Sequence, residues 1–368
     1  MTQRATEPCP SSCYTPASVK SRCFNLCLLG FGNVNRALVE LLCSKRAEMR
    51  EHHGIDWRIT GIASRRLGWL VKPDGFDAAA LNIEGLAGEK VSAQAVENLA
   101  GWLNTAQPNV LFEATSLNVE TGEPAISRIR AALNHGAHAI TANKGPIVHA
   151  YRDLRDLAAL LGRCFLFEST VMDGAPVFSL FRESLPAVNV SRITGILNST
   201  TNVVLTGMEQ GLGFEQSLRK AQDLGIAETD PSYDIDGWDA TVKLTALVNV
   251  ILDVPLRPQQ VQRQGIRALT GDKVRRARAD GQPYKLVCRA ERHGDEVHAC
   301  VKPEQVPLTD PLGLVSGTSS IVRFETDVLP GFTLTEENPG VETTAYGMLS
   351  DFIHAAKVSD HWTSGTRS

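Results

Sequence analysis

Short apolar runs alternate along the first half of this chain with longer segments in which apolar residues recur every three or four positions. The short runs predict strands at residues 23–29, 57–63, 109–115 and 138–141, and the longer segments predict helices at residues 34–49, 123–134 and 151–161. Strands that alternate with helices favour an α/β fold, in which a mostly parallel sheet is doubly wound with helices on both faces.

The second half of the chain is less regular. Residues 164–171 and 193–202 predict strands that are followed by small polar residues, and residues 214–224 predict a short amphipathic helix. A hairpin is predicted over residues 284–302, because two strand-like runs flank the turn residues His293, Gly294 and Asp295.

A buried helix with two charges is the most informative feature of the chain. Beyond Gly237 the sequence is apolar on nearly every face of a helix, and Asp239 and Lys243 are its only charges. Their four-residue spacing lets them pair. On an exposed helix this would be an ordinary, weak ion pair. Burial of two charges costs several kcal/mol, and a buried lysine tends to shift its pKa toward neutrality, so the pattern favours proton chemistry.

A glycine-rich turn follows the first predicted strand. Gly30 allows a tight turn, and Gly32 lets the backbone approach a pyrophosphate at the helix N-terminus, beside Asn33 and Val34. Asn35 stands where a third glycine usually permits close packing of helix on strand. Because a strand, a helix and a second strand surround this turn, it predicts a Rossmann-type dinucleotide site.

Two further strand ends carry candidate binding residues. The second strand ends in Ser64, Arg65 and Arg66, where cations suit the extra phosphate of NADP, although two solvated arginines on a loop fit equally. Lys144 follows another strand at the edge of the sheet where ligands bind. Taken alone, Lys144 could also be a loop lysine that faces solvent.

Composition narrows the class of protein. A chain of 368 residues suits two or three domains, and a formal charge of -4, from 37 basic and 41 acidic residues, gives no case for nucleic acid or membrane partners. Without a signal peptide or spanning segment, we expect a cytoplasmic protein with reduced thiols. The Ser-, Thr- and Pro-rich residues 1–21 predict a disordered tail, with an organelle transit segment as the alternative.

The motifs together resemble those of the homoserine dehydrogenase family over about residues 23–357. The resemblance is carried by the turn at Gly30 and, in chain order, by Glu113-Ala114-Thr115-Ser116, Thr141-Ala142-Asn143-Lys144-Gly145-Pro146, Phe167-Glu168-Ser169-Thr170-Val171, Gly195-Ile196-Leu197-Asn198, residues 228–243 and Thr344-Ala345-Tyr346-Gly347-Met348-Leu349-Ser350-Asp351.

The resemblance implies a division of the chain into domains. A dinucleotide-binding domain at residues 22–150 would be rejoined by about residues 335–368, and residues 151–334 would form an α+β catalytic and dimerisation domain, within a homodimer. No residues are left for a regulatory domain, so a monofunctional enzyme is expected.

The family's reaction is the NAD(P)-linked interconversion of L-aspartate 4-semialdehyde and L-homoserine, a step in threonine and methionine biosynthesis. By resemblance, the catalytic residues are Lys243 as proton donor, Asp239 beside it and Lys144 between substrate and nicotinamide. The resemblance also implies substrate-binding residues, cofactor-binding residues and a structural sodium site. The implied substrate residues are Glu228, which would bind the amino group, and Asp234, Asn198 and Thr200. The implied cofactor residues are Gly30, Gly32, Asn33, Val34, Ser64, Arg65, Arg66, Thr115, Ser116, Lys144 and Gly340. The implied sodium ligands are Glu168, Val171, Asp173 and Ala175.

Three positions depart from the family pattern. Asn35 and Ser199 replace glycines, and residues 336–340, Glu-Glu-Asn-Pro-Gly, replace a glycine-rich loop near the cofactor, where two acids would repel an anionic ligand. For Glu168, capping of nearby backbone is the alternative to an ion. Two other functions stay open: a related dehydrogenase for another small amino or hydroxy aldehyde, and a non-catalytic nucleotide-binding paralogue. NADP is favoured over NAD.

Overall fold

The structure, a computed structural model, describes residues 21–81 and 93–365, with side chains through residue 358. The predicted N-terminal tail lies outside these ranges apart from residue 21. Among the described residues, no helix combines the length and the apolar character that crossing a bilayer requires.

The first sheet has seven strands, and its central strands are parallel. Its strands are β1 (Arg22–Leu29), β2 (Ile55–Ser64), β3 (Gly68–Val71), β4 (Gln94–Val96), β5 (Val110–Glu113), β6 (His138–Thr141) and β7 (Phe165–Leu166). Their order is β4-β3-β2-β1-β5-β6-β7, and only β3 and β4 at one edge run antiparallel to their neighbours. The predicted doubly wound, mostly parallel sheet is confirmed.

Helices connect these strands. They are α1 (Asn33–Ser44), α2 (Arg46–His53), α3 (Ala78–Leu81), α4 (Leu99–Ala106), α5 (Ala125–His135) and α6 (Lys144–Leu160). The single helix predicted at residues 34–49 is two helices that meet at Lys45. The helix predicted at residues 151–161 begins earlier, at Lys144, and is kinked at Ala150.

The second sheet has six strands and is antiparallel except at one edge. Its strands are β8 (Val190–Ile196), β9 (Gln262–Arg263), β10 (Tyr284–His293), β11 (Glu296–Gln305), β12 (Ser320–Thr326) and β13 (Phe332–Glu336), in the order β13-β12-β8-β10-β11-β9. Strands β10 and β11 form the predicted hairpin, in which His293 pairs with Glu296 across the turn. Only β9 runs parallel to its neighbour.

Except for α14, the remaining helices pack mainly around this second sheet. They are α7 (Val177–Ser179), α8 (Ser199–Glu209), α9 (Phe214–Asp223), α10 (Ser232–Ile235), α11 (Trp238–Leu247), α12 (Gly271–Ala279), α13 (Pro311–Leu314) and α14 (Val341–Gly365). Helix α11 continues into a π-helical turn, Val248–Leu252.

Two predicted strands are wrong in part. The strand at residues 193–202 ends at Ile196, because Asn198 caps α8 by accepting a hydrogen bond from the Thr201 N–H at 2.8 Å. The strand at residues 164–171 is reduced to Phe165–Leu166, and Glu168–Thr170 form a 3-10 turn.

Helix α14 returns to the first sheet. The Phe352 ring meets the rings of Phe24 on β1 and Phe112 on β5 edge-on, with centroids 5.5 and 5.8 Å apart. Other buried residues of α14 lie in the same core cluster as β1, β2 and α1. This packing supports the predicted rejoining of the first domain, whose boundaries stay a prediction.

Candidate active site

Helix α11 carries two charges into a buried setting. It begins after Gly237, which adopts the left-handed conformation (φ 83°), and almost every residue from Asp239 to Leu247 is buried. Asp239 and Lys243 lie one turn apart on the same face, and their side chains are only 12% and 16% exposed. The predicted pairing of Asp239 with Lys243 on a buried helix is therefore confirmed.

The Asp239 carboxylate bridges two lysines. Its Oδ2 lies 3.5 Å from Lys243 Nζ, and its Oδ1 lies 3.2 Å from Lys144 Nζ at the start of α6. Lys243 Nζ also donates to the Leu197 carbonyl at 2.8 Å, just beyond the end of β8. The ends of β6 and β8 and helix α11 thus bring together all three residues that were predicted as catalytic.

The surroundings keep this cluster ionised. Burial raises the pKa of the Asp239 carboxyl, but the Lys243 and Lys144 cations outweigh burial and hold that pKa well below its usual range. Burial lowers the pKa of the Lys243 ammonium, yet Asp239 and two further carboxylates, Asp173 and Asp234, raise it above the ordinary value. The expectation that burial would move the Lys243 pKa toward neutrality is wrong, because three acids lie near it.

Three predicted substrate residues extend the cluster. The Asn198 amide donates to Asp234 Oδ1 at 2.7 Å and to Asp239 Oδ2 at 3.0 Å, and the Thr200 hydroxyl donates to Asp234 Oδ2 at 3.0 Å. Burial and the charge of Asp239 raise the pKa of the Asp234 carboxyl. Since Asn198 is also the N-cap of α8, the start of that helix orients both carboxylates.

Glu228 lies apart from this network. It is exposed, and within the described ranges only its backbone carbonyl has a partner, the Gln222 amide at 3.1 Å. The structure therefore does not bring the Glu228 carboxylate into the buried cluster. Its predicted contact with the substrate amino group stays a prediction.

The glycine turn between β1 and α1 fits a dinucleotide. Gly30 has φ 84°, and a Cβ there would lie 2.5 Å from the Ala114 carbonyl oxygen, so β5 passes too closely for any side chain. A Cβ on Gly32 would meet nothing within 4 Å, and no side chain caps α1 at Gly32. The helix N-terminus beside Asn33 and Val34 is therefore open to an anionic group.

Asn35 supports this turn in place of the expected glycine. Its side chain is fully buried, and its amide donates to the carbonyls of Leu29 at 3.2 Å and Gly30 at 3.0 Å. The amide thus ties the start of α1 to the end of β1. This departure from the family pattern preserves the turn.

A buried carboxylate that sequence reasoning missed organises the neighbouring strand ends. Glu113, at the end of β5, accepts hydrogen bonds from the Thr115 N–H at 2.9 Å and the Thr141 hydroxyl at 2.7 Å. Asn143 donates to the Thr115 carbonyl at 3.2 Å and caps α6 at Gly145 N, which places Lys144 at the first position of that helix. The sequence signal that could have indicated this role is the Glu113 motif, in which the acid directly follows three apolar residues.

The remaining cofactor residues lie at exposed edges. Ser116 is exposed, and Ser64 accepts a hydrogen bond from the Leu67 N–H at 3.1 Å in the turn that follows β2. Arg65 and Arg66 in that turn are exposed. Neither guanidinium meets a partner in the part of the chain that the structure describes, so both stay available to a ligand.

The Glu336 side chain anchors the loop at residues 336–340. Glu336 Oε1 accepts from the Gly174 N–H at 3.3 Å, and its Oε2 is buried without a partner among the described residues. Burial, followed by the charge of Asp173, raises the Glu336 pKa to about 7. Gly340 precedes α14, and its N–H donates to the Thr343 hydroxyl at 2.9 Å.

Two of the departures from the family pattern are tied to one segment, Thr318 and Ser319. The Ser199 hydroxyl donates to the Thr318 carbonyl at 2.8 Å. Asn338 adopts the left-handed conformation (φ 47°), and its N–H donates to the Ser319 hydroxyl at 3.2 Å. Helix α8 and the loop before α14 are thereby tethered through residues 318–319.

The predicted sodium ligands lie on one loop, but the Glu168 carboxylate caps backbone N–H groups. Its carboxylate accepts hydrogen bonds from the N–H groups of Phe178 at 2.6 Å and Ser179 at 2.8 Å. The described residues contain no cluster of three or more His, Cys, Asp or Glu side chains that could hold a metal ion. The two hydrogen bonds match the alternative expectation for Glu168, capping of nearby backbone.

Comparison with known proteins agrees with this geometry. The family model for homoserine dehydrogenase matches residues 176–353, and the model for the homoserine dehydrogenase NAD binding domain matches residues 30–168. An NAD(+)-dependent homoserine dehydrogenase from Pseudomonas canavaninivorans is 36% identical over 337 residues, which are 90% of this chain and 96% of that protein.

Solved structures share the fold over nearly the whole chain. A homoserine dehydrogenase from Thiobacillus denitrificans has a TM-score of 0.80 at 27% identity, covering 93% of this chain and 75% of that one. A hyperthermophilic archaeal homoserine dehydrogenase mutant in complex with NADPH has a TM-score of 0.77 at 28% identity, covering 91% and 98%. This chain belongs to the homoserine dehydrogenase family and is an NAD(P)-dependent oxidoreductase.

Proposed function

We propose that this chain interconverts L-aspartate 4-semialdehyde and L-homoserine, with Lys243 as the proton donor in the direction of reduction. The observation that carries the proposal is the buried Lys243 ammonium, held between the Asp239 carboxylate and the Leu197 carbonyl. Its raised pKa keeps it protonated at neutral pH. A charged donor in a largely desolvated site is what an aldehyde oxygen needs as it gains negative charge.

The proposed roles follow from the contacts. When bound, the reduced nicotinamide supplies the hydride that adds to the carbonyl carbon. Lys243 transfers its proton to the oxygen, and Asp239 stabilises the ammonium before transfer and orients it. Lys144 shares the same carboxylate, which places a second cation beside the reacting group. Asp234, held by Asn198 and Thr200, is a carboxylate available to the substrate ammonium.

The proposal favours NADP(H) as the cofactor. Arg65 and Arg66 are exposed, have no partner within residues 21–81 and 93–365, and follow β2, where a 2'-phosphate would bind in a Rossmann-type site. The archaeal structure in complex with NADPH agrees with this preference. The relative from Pseudomonas canavaninivorans is named NAD(+)-dependent, so NAD(H) is the alternative.

A sodium ion and a homodimer are also proposed. A sodium ion bound by the backbone oxygens of residues 171–175 is proposed from the family resemblance, and the capping role of Glu168 weakens the case for its carboxylate as a ligand. A homodimer is likewise proposed from the resemblance alone. Sedimentation equilibrium tests the dimer, and thermal stability in sodium against potassium salts tests the ion.

Absorbance at the NADPH band tests the function directly. The protein is mixed with L-aspartate 4-semialdehyde and either NADPH or NADH, and consumption of reduced cofactor is followed. Turnover with this substrate supports the proposal. Turnover only with another small amino or hydroxy aldehyde would identify a related dehydrogenase, and NADPH binding without turnover would identify a non-catalytic paralogue.

A further inference from the structure

Asn249 joins the two helices that carry the catalytic lysines. It lies in the π-helical turn that follows α11, and only 7% of it is exposed. Its amide nitrogen donates to the carbonyls of Ile147 and Val148 on α6, both at 3.3 Å, and its amide oxygen accepts from the Leu256 N–H at 2.8 Å. The two contacts to α6 link segments that are about 100 residues apart in sequence.

The α6 carbonyls need this partner because the helix breaks beside them. Ala150 has φ -143° and ψ 23°, values outside the helical region. A kink withdraws N–H groups from the carbonyls of the preceding turn, and a buried carbonyl that is left without a donor costs stability. Asn249 supplies donors to two carbonyls of that turn.

The same turn of α6 carries Lys144. Ile147 and Val148 are three and four residues beyond it, so a shift of their carbonyls shifts the backbone of Lys144 as well. At the other end of α11, Lys144 Nζ meets Asp239 Oδ1 at 3.2 Å. The first turn of α6 is thus attached to α11 and its continuation at two points, one through a side chain and one through its backbone.

We propose that Asn249 is a positioning residue for Lys144. By holding the backbone of residues 147 and 148, it fixes the distance of the Lys144 ammonium from Asp239 and from the reacting group. This inference rests on the proposed function, in which Lys144 lies beside the substrate. An asparagine suits the task because one side chain offers two N–H donors and a carbonyl acceptor, whereas aspartate would keep only acceptors.

A double-mutant cycle tests this coupling. We compare kcat and the KM values of substrate and cofactor for three variants: Asn249→Ala, Lys144→Ala and the double variant. We expect Asn249→Ala to lower kcat about tenfold with little change in the cofactor KM, since a small misplacement of a catalytic group is costly. In the Lys144→Ala background the same substitution should change kcat by less than about twofold.

Additive losses in kcat would overturn the proposal and leave Asn249 a structural residue. Full activity of Lys144→Ala alone would overturn the proposed role of Lys144 itself, which separates the two failures. If Asn249→Ala does not fold, Asn249→Ser, which retains one donor, is used in the same cycle and must show the same non-additivity.

A structural control is available in the first sheet. Asn25 donates to the Gln107 carbonyl at 2.9 Å and accepts from Arg58 at 2.7 Å, with no contact to α6 or α11. Asn25→Ala should lower the melting temperature and leave kcat unchanged. An equal loss of kcat in Asn25→Ala and Asn249→Ala, at equal loss of stability, would show that Asn249 has no specific role.

Discussion

The buried lysine cluster and the rim of the proposed cofactor site (Arg65, Arg66 and Glu336) differ in how their charges are satisfied. In the cluster, Asp239 contacts two ammonium groups and an amide, all within the protein. On the rim, Arg65 and Arg66 are exposed, and Glu336 Oε2 has no partner among the described residues. Asp239 and both lysines are thus paired within the protein, whereas the exposed arginines remain open to a ligand.

Within the buried cluster, removal of Lys243 should have the largest effect on the rate of aldehyde reduction. Lys243→Ala is expected to lower the rate of aldehyde reduction at least a hundredfold, as a general-acid role requires, while cofactor affinity in direct titration stays the same. The control is Lys302→Ala, because Lys302 is half exposed on β11 and pairs with Glu304 on the same strand. A Lys243→Ala variant that keeps more than about a tenth of the rate would contradict the proton-donor role.

Neutralising Asp239 should change the pH dependence of the reaction. Asp239→Asn removes the largest of the charges that raise the Lys243 pKa, so that pKa falls. Reduction needs the ammonium, so the alkaline limit of the reduction rate should move to lower pH. Oxidation needs the neutral lysine and should extend to lower pH.

Rate profiles in both directions measure this shift. The matched control is Asp272→Asn, since Asp272 is 92% exposed and pairs with Arg275 on the surface. Unchanged profiles for Asp239→Asn would mean that Asp239 does not set the charge of Lys243.

Replacement of the two rim arginines should separate the cofactors. Arg65→Ala with Arg66→Ala should weaken NADP(H) about tenfold and NAD(H) hardly at all, because only NADP(H) carries the 2'-phosphate. The difference should shrink at high ionic strength, since both side chains are exposed. Equal losses for both cofactors would return these residues to the role of solvated loop cations.

The smallest expected effect concerns Glu336. With a pKa of about 7, its carboxyl is neutral below that pH and charged above it, so NADPH should bind a few-fold more weakly at pH 8 than at pH 6. Glu336→Gln should flatten this dependence. The double change Glu336→Gly with Asn338→Gly should tighten binding modestly.

Titrations of NADPH at both pH values test the position of the loop. The same pH dependence in the wild type and Glu336→Gln would show that the loop points away from the cofactor. If the wild type is also fully active, the divergence of this loop has little effect on binding.

Local patterns predicted the sheet, the hairpin β10–β11 and the buried helix α11, because each depends on periodicity within one segment. Residues 199–202 were misassigned, because their Thr-rich run favours a strand until Asn198 is placed as a helix cap. The direction of the Lys243 pKa depended on Asp173 and Asp234, whose proximity arises from tertiary packing. No local signal indicated that Glu228 would be exposed or that Asn249 would reach α6.

The segment Thr318–Ser319 joins two positions that are far apart in the chain. The Ser199 hydroxyl donates to the Thr318 carbonyl, the Asn338 amide oxygen accepts from the Thr318 hydroxyl at 3.4 Å, and the Asn338 N–H donates to the Ser319 hydroxyl. Glycine at position 199 or 338 would remove the corresponding side-chain bond to Thr318, whereas the backbone bond to Ser319 would survive. A chimera with a glycine-containing relative should therefore exchange positions 199, 318–319 and 338 together.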